Sequence, residues 1–445
     1  MDVVFTQCAG LDVHKKTVTA CRVTPDPSEQ QADGLMEVKE FGTLTRDLLA
    51  LSDWLAEAGI THVAMESTGE YWRPVYNLLE GDFTVFLVNA AHVKQVPGRK
   101  TDKNDARWLA KLMRYGLLHA SFIPPRGQRE LRELTRYRTK LVQERSREVN
   151  RVQGVLERAN IKLAAVATDI MGVSGRAILA AVVEGRADPA TMAALAKGRL
   201  RNKLPVLEQA LTGLVDAHHR RLLAMQLAHI DFLEEQIEAL SAEITRCLTD
   251  LSTTEPPEAP DGSVGAVVGG AERPPGTPIS FSQAVAILDT LPGVDRRGAE
   301  VLVAEWGTDM GRVGTASRLA AWTGVAPGND ESAGKQRSGK TRKGNRVLRT
   351  ALTQLAHAAA RTKGTYLSSL YQRLAARRGK KRAIIAVAHA MVVSAFHMLS
   401  RHEAYQELGS HYFDEQRRHQ LVHRLTRRLE HLGYRVSLAL EPATA

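Results

Sequence analysis

The 445-residue sequence predicts an α/β domain at the N-terminus, then a long helical hairpin, then an all-helical C-terminal domain. Three observations support this order. Short apolar stretches alternate with helical periodicity up to about residue 120, which is typical of a sheet covered by helices. Two long polar segments with apolar residues at near-heptad spacing follow. A stretch rich in Pro and Gly then precedes a run of helical patterns.

The N-terminal domain is predicted to contain a mixed five-stranded sheet, because three early strand patterns are followed by alternating helices and strands. The predicted strands are residues 4–12, 17–24, 36–43, 61–66 and 83–88, and the predicted helices are residues 44–58, 70–80 and 103–115.

Four acidic residues lie where a sheet of the ribonuclease H type would gather them. Asp12 and Glu66 each end a strand pattern, and Asp102 and Asp105 begin a helix with a spacing that puts both on one face. Clustered carboxylates raise each other's pKa or require a cation, and two hard divalent ions are the usual solution. A single Asp at a strand end is more often a turn former or a cap. The set of four in this order favours a metal site.

Composition narrows the function classes. The chain has 60 Lys and Arg against 49 Asp and Glu, a net charge of +11 and a pI near 9.6, which favours a polyanionic partner such as nucleic acid. Cys8, Cys21 and Cys247 are too far apart in sequence for a zinc site and suit a reducing compartment. We find no signal pattern and no uninterrupted apolar run of membrane-spanning length, so we expect an intracellular protein without a membrane partner.

The middle of the chain predicts two long helices. One runs from Arg126 to Arg158 and presents a basic face, and the second runs from about Leu207 to Leu248. Their apolar spacing predicts an antiparallel hairpin, which could also form a dimer contact, with a smaller helical piece at 174–199. The Arg-rich face is explained equally well by solvation and by contact with nucleic acid.

Residues 252–280 have the composition of a flexible linker, and residues 281–405 are predicted to be entirely helical. Within them, the turn Leu291–Val294 resembles that of a helix-hairpin-helix, whose backbone N–H groups near Gly293 can bind a phosphate. A purely structural turn has the same pattern. The basic stretch Arg417–Arg428 in the tail has no assigned role.

A basic loop is the second candidate site. Residues 331–350 contain seven Lys or Arg and one acid among small residues that let a phosphate approach the backbone. A serine in this field could act as a nucleophile, although a simple nucleic-acid-binding surface has the same composition. The residues expected to contact nucleic acid here are Lys335, Arg337, Lys340, Arg342, Lys343 and Arg346.

Five motifs, taken together and in order, resemble one known family. They are Gly10–Lys15, Met65–Gly69, Thr101–Ala106, Leu291–Val294 and the loop Gly324–Gly344. The sequence is similar to the DEDD transposases of the IS110 insertion-sequence family, also called bridge recombinases. The resemblance implies a RuvC-like domain at 1–122, a coiled-coil domain at 123–251, a linker at 252–280, a C-terminal transposase domain at 281–410 and a basic tail at 411–445.

The resemblance also implies the site residues. Asp12, Glu66, Asp102 and Asp105 correspond to the family's tetrad, which binds Mg²⁺ or Mn²⁺. Ser332, five residues after the Pro of the Gly-Leu-x-Pro-like element, corresponds to the nucleophile. The usual Ser-Gly pair is interrupted by Ala333, and Ser338, which is followed directly by Gly339, is a rival.

The implied function is a site-specific DNA recombinase that moves an insertion sequence through a covalent phosphoserine intermediate. Its partners would be donor and target DNA, a structured guide RNA (the bridge RNA) and further copies of the chain in a dimer or tetramer whose subunits share a composite site. It would act at the nucleoid in the cytoplasm of a prokaryote. Two alternatives remain open: a RuvC-like metal-dependent nuclease or Holliday junction resolvase that uses water, and a non-catalytic nucleic-acid-binding protein.

Overall fold

The computed structural model describes residues 3–26, 34–66, 69–88, 105–185, 188–253, 279–328, 330–332, 335–341, 343–416 and 418–437, with backbone only at 330–332, 335–338, 414, 416 and 419–421. The chain divides into two compact units, Met1–Pro124 and Pro125–Ala445. The proposed linker at 252–280 lies almost wholly outside the described residues. The two units are described separately.

The first unit contains the predicted mixed sheet of five strands in the order β3-β2-β1-β4-β5. The strands β1, β2 and β3 are antiparallel neighbours, whereas β1, β4 and β5 run parallel. The elements are β1 (Cys8–Val13), β2 (Thr17–Thr24), β3 (Leu35–Gly42), α1 (Thr45–Glu57), β4 (His62–Glu66), α2 (Trp72–Leu79), β5 (Thr84–Val88) and α3 (Asp105–Arg114).

The first strand begins four residues later than predicted. The backbone N–H groups of Val4 and Phe5 donate to the carbonyl of Arg114 at the end of α3, at 2.9 and 3.1 Å. These two apolar residues therefore tie the chain start to a helix end and do not extend the sheet.

The two faces of the sheet are covered by different helices, as strand alternation requires. Ala9 and Leu11 pack into a core with α1 and α2. Cys8 and Ala64 face the other way and pack against α3. The edge at which β1, β4 and β5 end is thus flanked by α3 on one face.

The second unit starts with the predicted helical hairpin, formed by α4 (Arg126–Arg158) and the later α9 (Ala217–Thr253). It is antiparallel, since Arg138 lies near Ser241 and Arg145 pairs with Glu234. The elements between them are α5 (Leu163–Val166), α6 (Val173–Glu184), α7 (Pro189–Ala194), a short 3₁₀ turn (Gly198–Lys203) and α8 (Leu204–Leu211).

The prediction of one continuous helix from Leu207 to Leu248 is wrong. The chain leaves helical geometry at Thr212, and Gly213 packs against the backbone of Ala159 so closely that a Cβ there would overlap its carbonyl oxygen. This contact ends α8, and α9 starts only at Ala217.

The C-terminal helices share one large apolar core with parts of α4 and α9. The bounds are α10 (Phe281–Asp289), α11 (Arg296–Trp306), α12 (Met310–Val313), α13 (Ala316–Thr323), α14 (Arg346–Arg361), α15 (Tyr366–Arg378), α16 (Lys380–Arg401), α17 (Tyr412–Gln416) and α18 (Arg418–His431). Among the described residues, α16 is the one helix long and apolar enough to cross a membrane, judged by length and composition alone. Its buried residues belong to this core, which accounts for its apolar composition.

The expectation that 281–405 is entirely helical is wrong at one place. Residues Asp330–Ser332 and Lys335–Ser338 form a two-stranded antiparallel hairpin, β6 and β7. The hairpin lies between α13 and α14 in the basic loop, so the proposed serine site is built on short strands.

The turn predicted at Leu291–Val294, which resembles that of a helix-hairpin-helix, is present and joins α10 to α11. Gly293 has a φ of +84°, and a Cβ there would overlap the backbone nitrogen of Ala359 in α14. Both facts require glycine for packing. A structural role of this turn is therefore established, whereas its binding of phosphate stays a prediction.

Candidate active site

Asp12 and Glu66 lie side by side at the ends of neighbouring parallel strands. The last registered pair of β1 and β4 is Leu11 with Met65, and each acid is the next residue along its strand. Backbones of adjacent strands are about 4.8 Å apart. Both acids are partly exposed, so the sheet holds two carboxylates at one edge, within reach of solvent.

Both acids point to the face that α3 covers. Asp12 follows Gly10 by two residues, and Glu66 follows Ala64 by two, so each pair shares a face. Ala64 packs in the α3-side core, as does Val88, the β5 partner of Glu66.

Gly10 lets α3 approach this face. A Cβ at Gly10 would overlap the Ala106 carbonyl and the Ala110 nitrogen of α3. The helix begins at Asp105, directly before Ala106, so its first carboxylate is brought to the face that carries Asp12 and Glu66. One oxygen of Asp105, Oδ1, is buried.

Asp12 has a histidine as a hydrogen-bond partner. His14 Nε2 lies 3.1 Å from Asp12 Oδ2, and the exposed fractions of the two side chains are 63% and 17%. His14 is thus an exposed surface group that can orient Asp12.

The donor chemistry of this edge suits a hard divalent ion, because its titratable groups facing α3 are carboxylates. Among the described residues, however, no three His, Cys, Asp or Glu side chains are grouped closely enough to hold a metal. Asp102 lies outside the described residues. The structure therefore brings three of the four predicted acids to one face without closing them into a ligand cage.

Two cysteines, Cys8 of β1 and Cys21 of β2, are buried on the α3 side of the sheet. Burial raises the pKa of Cys8 to about 12 and that of Cys21 to about 11. Thiolates bind metals and neutral thiols do so poorly. Both residues serve as core packing on the α3 side.

In the second unit, the hairpin separates the two candidate serines. Ser332 is the last residue of β6 and pairs with Lys335, at the turn of the hairpin, whereas Ser338 ends β7 and pairs with Asp330 at its base.

The two ends of the serine loop (residues 324–345) are held together by backbone contacts. The N–H of Asn345 donates to the carbonyl of Trp322 at 2.9 Å. A Cβ on Gly344 would overlap Gly324, and one on Gly328 would overlap the carbonyl of Lys340. Glycines at 328 and 344 thus allow the segment that leaves α13 and the segment that enters α14 to pack closely against each other.

The predicted phosphate-binding residues are distributed along this loop. Lys340 and Lys343 are exposed, and Arg346 is an exposed first residue of α14. Lys335 and Arg337 belong to β7, for which only the backbone is described, and Arg342 lies outside the described residues.

The expected outward basic face of α4 is only partly correct. Lys140, Arg147 and Arg158 are exposed. Arg138, in contrast, is 4% exposed and pairs with Glu300 at 2.7 Å. Its neighbours Arg132 and Arg136 also turn inward, toward Glu305 of α11. Part of the arginine content therefore serves internal ion pairs.

Sequence patterns did not single out Glu300, Glu305 or Asn345, which form polar contacts inside the second unit. Glu305 is completely buried and accepts a hydrogen bond from Asn345 Nδ2 at 2.8 Å. A signal existed, because Glu305 stands alone in the apolar stretch Val301–Trp306. A lone acid in a buried helix requires partners.

Comparison with known proteins agrees with this arrangement. A transposase family model, that of the DEDD transposases of IS110 elements, matches residues 9–161. A second model, described as the transposase IS116/IS110/IS902 family, matches residues 285–372. None of the curated proteins compared with the chain matches it. The first match spans all four predicted acids and the second spans Ser332. The chain therefore belongs to the IS110 family of DEDD transposases, enzymes that cleave DNA strands and transfer them.

Proposed function

We propose that this transposase cleaves and rejoins DNA by means of a divalent-ion site in the first unit and the hydroxyl of Ser332 in the second. The observation that carries the proposal is the arrangement of Asp12, Glu66 and Asp105, which lie on one face of the sheet at the ends of parallel strands. Isolated structural acids have no reason to share that edge.

The ion would be held by Asp12, Glu66, Asp102 and Asp105, with Mg²⁺ as the first candidate and Mn²⁺ as the second. Carboxylate oxygens are the ligands that both ions prefer. A divalent ion bound there polarises the scissile phosphate and offsets the charge that develops on its oxygens. The imidazole of His14, 3.1 Å from Asp12 Oδ2, would keep that carboxylate oriented.

The covalent step would be an in-line displacement at phosphorus. The Ser332 Oγ–P bond forms and the bond from phosphorus to a deoxyribose oxygen breaks. The serine gives up its proton, and the leaving oxygen gains one, so that a sugar hydroxyl is released and no water is consumed. The phosphoserine ester keeps the energy of the phosphodiester for rejoining to another DNA end.

Ser332 is preferred to Ser338 for a reason that adds to the family resemblance. It ends β6 beside the turn of the hairpin, next to Lys335, whereas Ser338 lies opposite Asp330 at the base. A nucleophile must approach a bulky DNA backbone, and this favours the serine at the turn of the hairpin over the one at its base.

The nucleic-acid partners follow from charge and family. Donor and target DNA are the substrates, and we propose that a structured guide RNA selects them by base pairing. Lys340, Lys343 and Arg346 are exposed on the serine loop and at the start of α14. Such residues contact phosphates without reading sequence, so the choice of site would come from base pairing.

The first experiment tests the serine. Protein purified with its nucleic acid is incubated with end-labelled DNA carrying the element ends, and linked DNA is separated on a denaturing gel. Ser332→Ala should form no protein-linked DNA, whereas Ser338→Ala, the matched control in the same hairpin, should form it. Water-dependent cleavage by Ser332→Ala at the wild-type rate, with no linked DNA in either protein, would establish the nuclease alternative.

A second experiment tests the metal site. Strand cleavage should require Mg²⁺ or Mn²⁺, stop on chelation and be lost in Asp102→Ala. Asp82→Ala is the control, since Asp82 is an exposed acid of the same unit, remote in sequence from the tetrad. Equal inertness of wild type and Asp102→Ala with matched DNA and RNA would favour a non-catalytic binding protein.

A third experiment tests the guide. RNA that copurifies with the protein is sequenced. A structured transcript from the flanks of the element would support RNA guidance, and a random sample of cellular RNA would contradict it.

A further inference from the structure

Glu305 is a fully buried carboxylate at the centre of a polar cluster in the second unit. Its Oε1 accepts from Arg136 Nε at 2.6 Å, and its Oε2 accepts from Arg136 Nη2 at 2.9 Å and from Asn345 Nδ2 at 2.8 Å. The flanking residues of α11, Ala304 and Trp306, are buried in the apolar core. A charge in such a place needs every one of these donors.

Asn345 is held in one orientation by a second task. It is the N-cap of α14, and its Oδ1 accepts from the N–H groups of Val347 and Leu348 at 2.9 and 3.3 Å. The amide oxygen is therefore committed to the helix, and the amide NH₂ must face Glu305.

Asn345 also closes the serine loop. Its own N–H donates to the carbonyl of Trp322, in the last turn of α13 before the loop begins. Arg132 lies near the same place, with its guanidinium 6.0 Å from the centre of the Trp322 ring and its Nε bonded to the Ala304 carbonyl at 2.9 Å. Asn345 thus connects both ends of the loop to the buried carboxylate, through its backbone N–H and its side-chain amide.

We infer that Glu305 and Asn345 are positioning residues for the serine loop, and that their hydrogen bond sets the rate at which the loop's serine reacts with DNA. The inference rests on the proposed role of Ser332. Stability alone does not require this cluster, because apolar residues of similar volume often replace a buried ion pair without loss. Placement does require it, since a displacement of about 1 Å can cost on the order of a hundredfold in rate.

The chain allows a substitution that removes only this hydrogen bond. Asn345→Asp keeps an oxygen for the N-cap but replaces the amide donor by a second acceptor facing Glu305. Repulsion between the two carboxylates would then shift the end of the loop. Adding Glu305→Gln supplies an amide donor from the other side, so the bond to residue 345 returns with reversed polarity. The remaining amide oxygen still accepts from Arg136 Nε, and the bond from Arg136 Nη2 is given up.

The experiment measures single-turnover formation of protein-linked DNA at saturating DNA, together with DNA affinity and thermal unfolding. For Asn345→Asp we expect the linking rate to fall tenfold or more, with DNA affinity unchanged within about twofold. On a logarithmic scale, the double variant should recover at least half of the lost linking rate. If Asn345→Asp does not fold, Asn345→Ser keeps the cap oxygen without the donor and should show the same rate loss.

Two outcomes would overturn the inference. One is a linking rate at the wild-type level in a variant that melts at lower temperature. The other is a rate loss that the double variant does not restore. Ser332→Ala in the same assay keeps the two hypotheses apart, because linked DNA in that variant contradicts the proposed nucleophile and leaves the reading of Asn345 variants unaffected.

Discussion

Arg136 holds Glu305 at two points, with Nε 2.6 Å from Oε1 and Nη2 2.9 Å from Oε2. The pair joins α4 to α11, and the carboxylate is completely removed from solvent. Parallel two-point contacts of this kind give an ion pair a defined geometry. The long polar helix is therefore fastened to the transposase core by charge as well as by its apolar stripe.

Glu305→Ala should lower the free energy of unfolding of the second unit by about 1–3 kcal/mol, because it leaves the partly exposed guanidinium of Arg136 and the amide of Asn345 without their acceptor. Urea denaturation followed by the helical circular dichroism signal measures this. The matched control is Glu234→Ala at the surface pair with Arg145 on the same hairpin, which should cost no more than about 1 kcal/mol. Equal effects of the two substitutions would show that the buried pair adds nothing.

Gly10→Ala should reduce Mg²⁺-dependent strand cleavage on the order of a hundredfold, because the added methyl group overlaps the backbone of α3 and displaces Asp105 from Asp12. Gly81→Ala in the same unit has open space around the added Cβ and should keep wild-type cleavage. Cleavage by Gly10→Ala at the wild-type rate would show that the position of α3 does not matter for the proposed metal site.

Gly293→Ala should destabilise the second unit by more than about 2 kcal/mol, since it combines a left-handed backbone with an overlap on Ala359. Gly364→Ala is the control for the backbone alone, because its φ is +78° and nothing lies near its Cβ. We expect about 1–2 kcal/mol for it. Thermal or urea unfolding of the two variants measures the difference in stability. Similar losses of stability would mean that α14 moves away from residue 293 and relieves the overlap.

Cys247 should be alkylated first when the native protein is treated with iodoacetamide at pH 8, and Cys8 and Cys21 should react only after unfolding. Burial raises the pKa of these two thiols to about 12 and about 11, whereas Cys247 is half-buried. The thiolate is the reactive form. Peptide mapping by mass spectrometry measures the order, and Cys247→Ser should remove the fast site.

The same shifts predict a loss of stability in alkali. A thiol with a higher pKa in the folded state keeps its proton there while the unfolded chain ionises. The stabilisation is complete below the ordinary thiol pKa of 9.0 and is lost as the pH rises through about 11 and about 12. Urea midpoints of the first unit should therefore fall above pH 9, and Cys8→Ala should reduce the slope.

Local pattern predicted the sheet well, because each strand has its own alternation and its own breaker. The strand β2 has the predicted bounds, and β4 and β5 begin within one residue of them. The first strand was predicted too long because the apolar pattern includes Val4 and Phe5, whose backbone N–H groups instead donate to the carbonyl of Arg114, about 110 residues away. Periodicity in a short window contains no information about such a partner.

The start of the second helix of the hairpin was predicted wrongly for the same reason. Its heptad pattern continues through Leu207 and Leu211, and only the packing of Gly213 on Ala159 ends it. Likewise, charge counting predicted an exposed arginine face on α4, and only the fold shows that Arg136 and Arg138 meet carboxylates of α11.

For the candidate site, the sequence predicted a set of four acids, and the fold adds that three of them share a face. Strand ends in a known order are enough for the first step. The approach of α3 depends on Gly10, which no count of acids would single out. The ligand roles of all four acids and the nucleophile role of Ser332 stay predictions.

The helix α4 has 33 residues and is therefore about 50 Å long at about 1.5 Å per residue. That length equals about fifteen base-pair steps of duplex DNA at about 3.4 Å each. Its first turns are fastened to α11 and its last turns are embedded in the helices from α5 to α8. The helix therefore holds the groups packed at its two ends about 50 Å apart, a distance of roughly one and a half turns of duplex DNA.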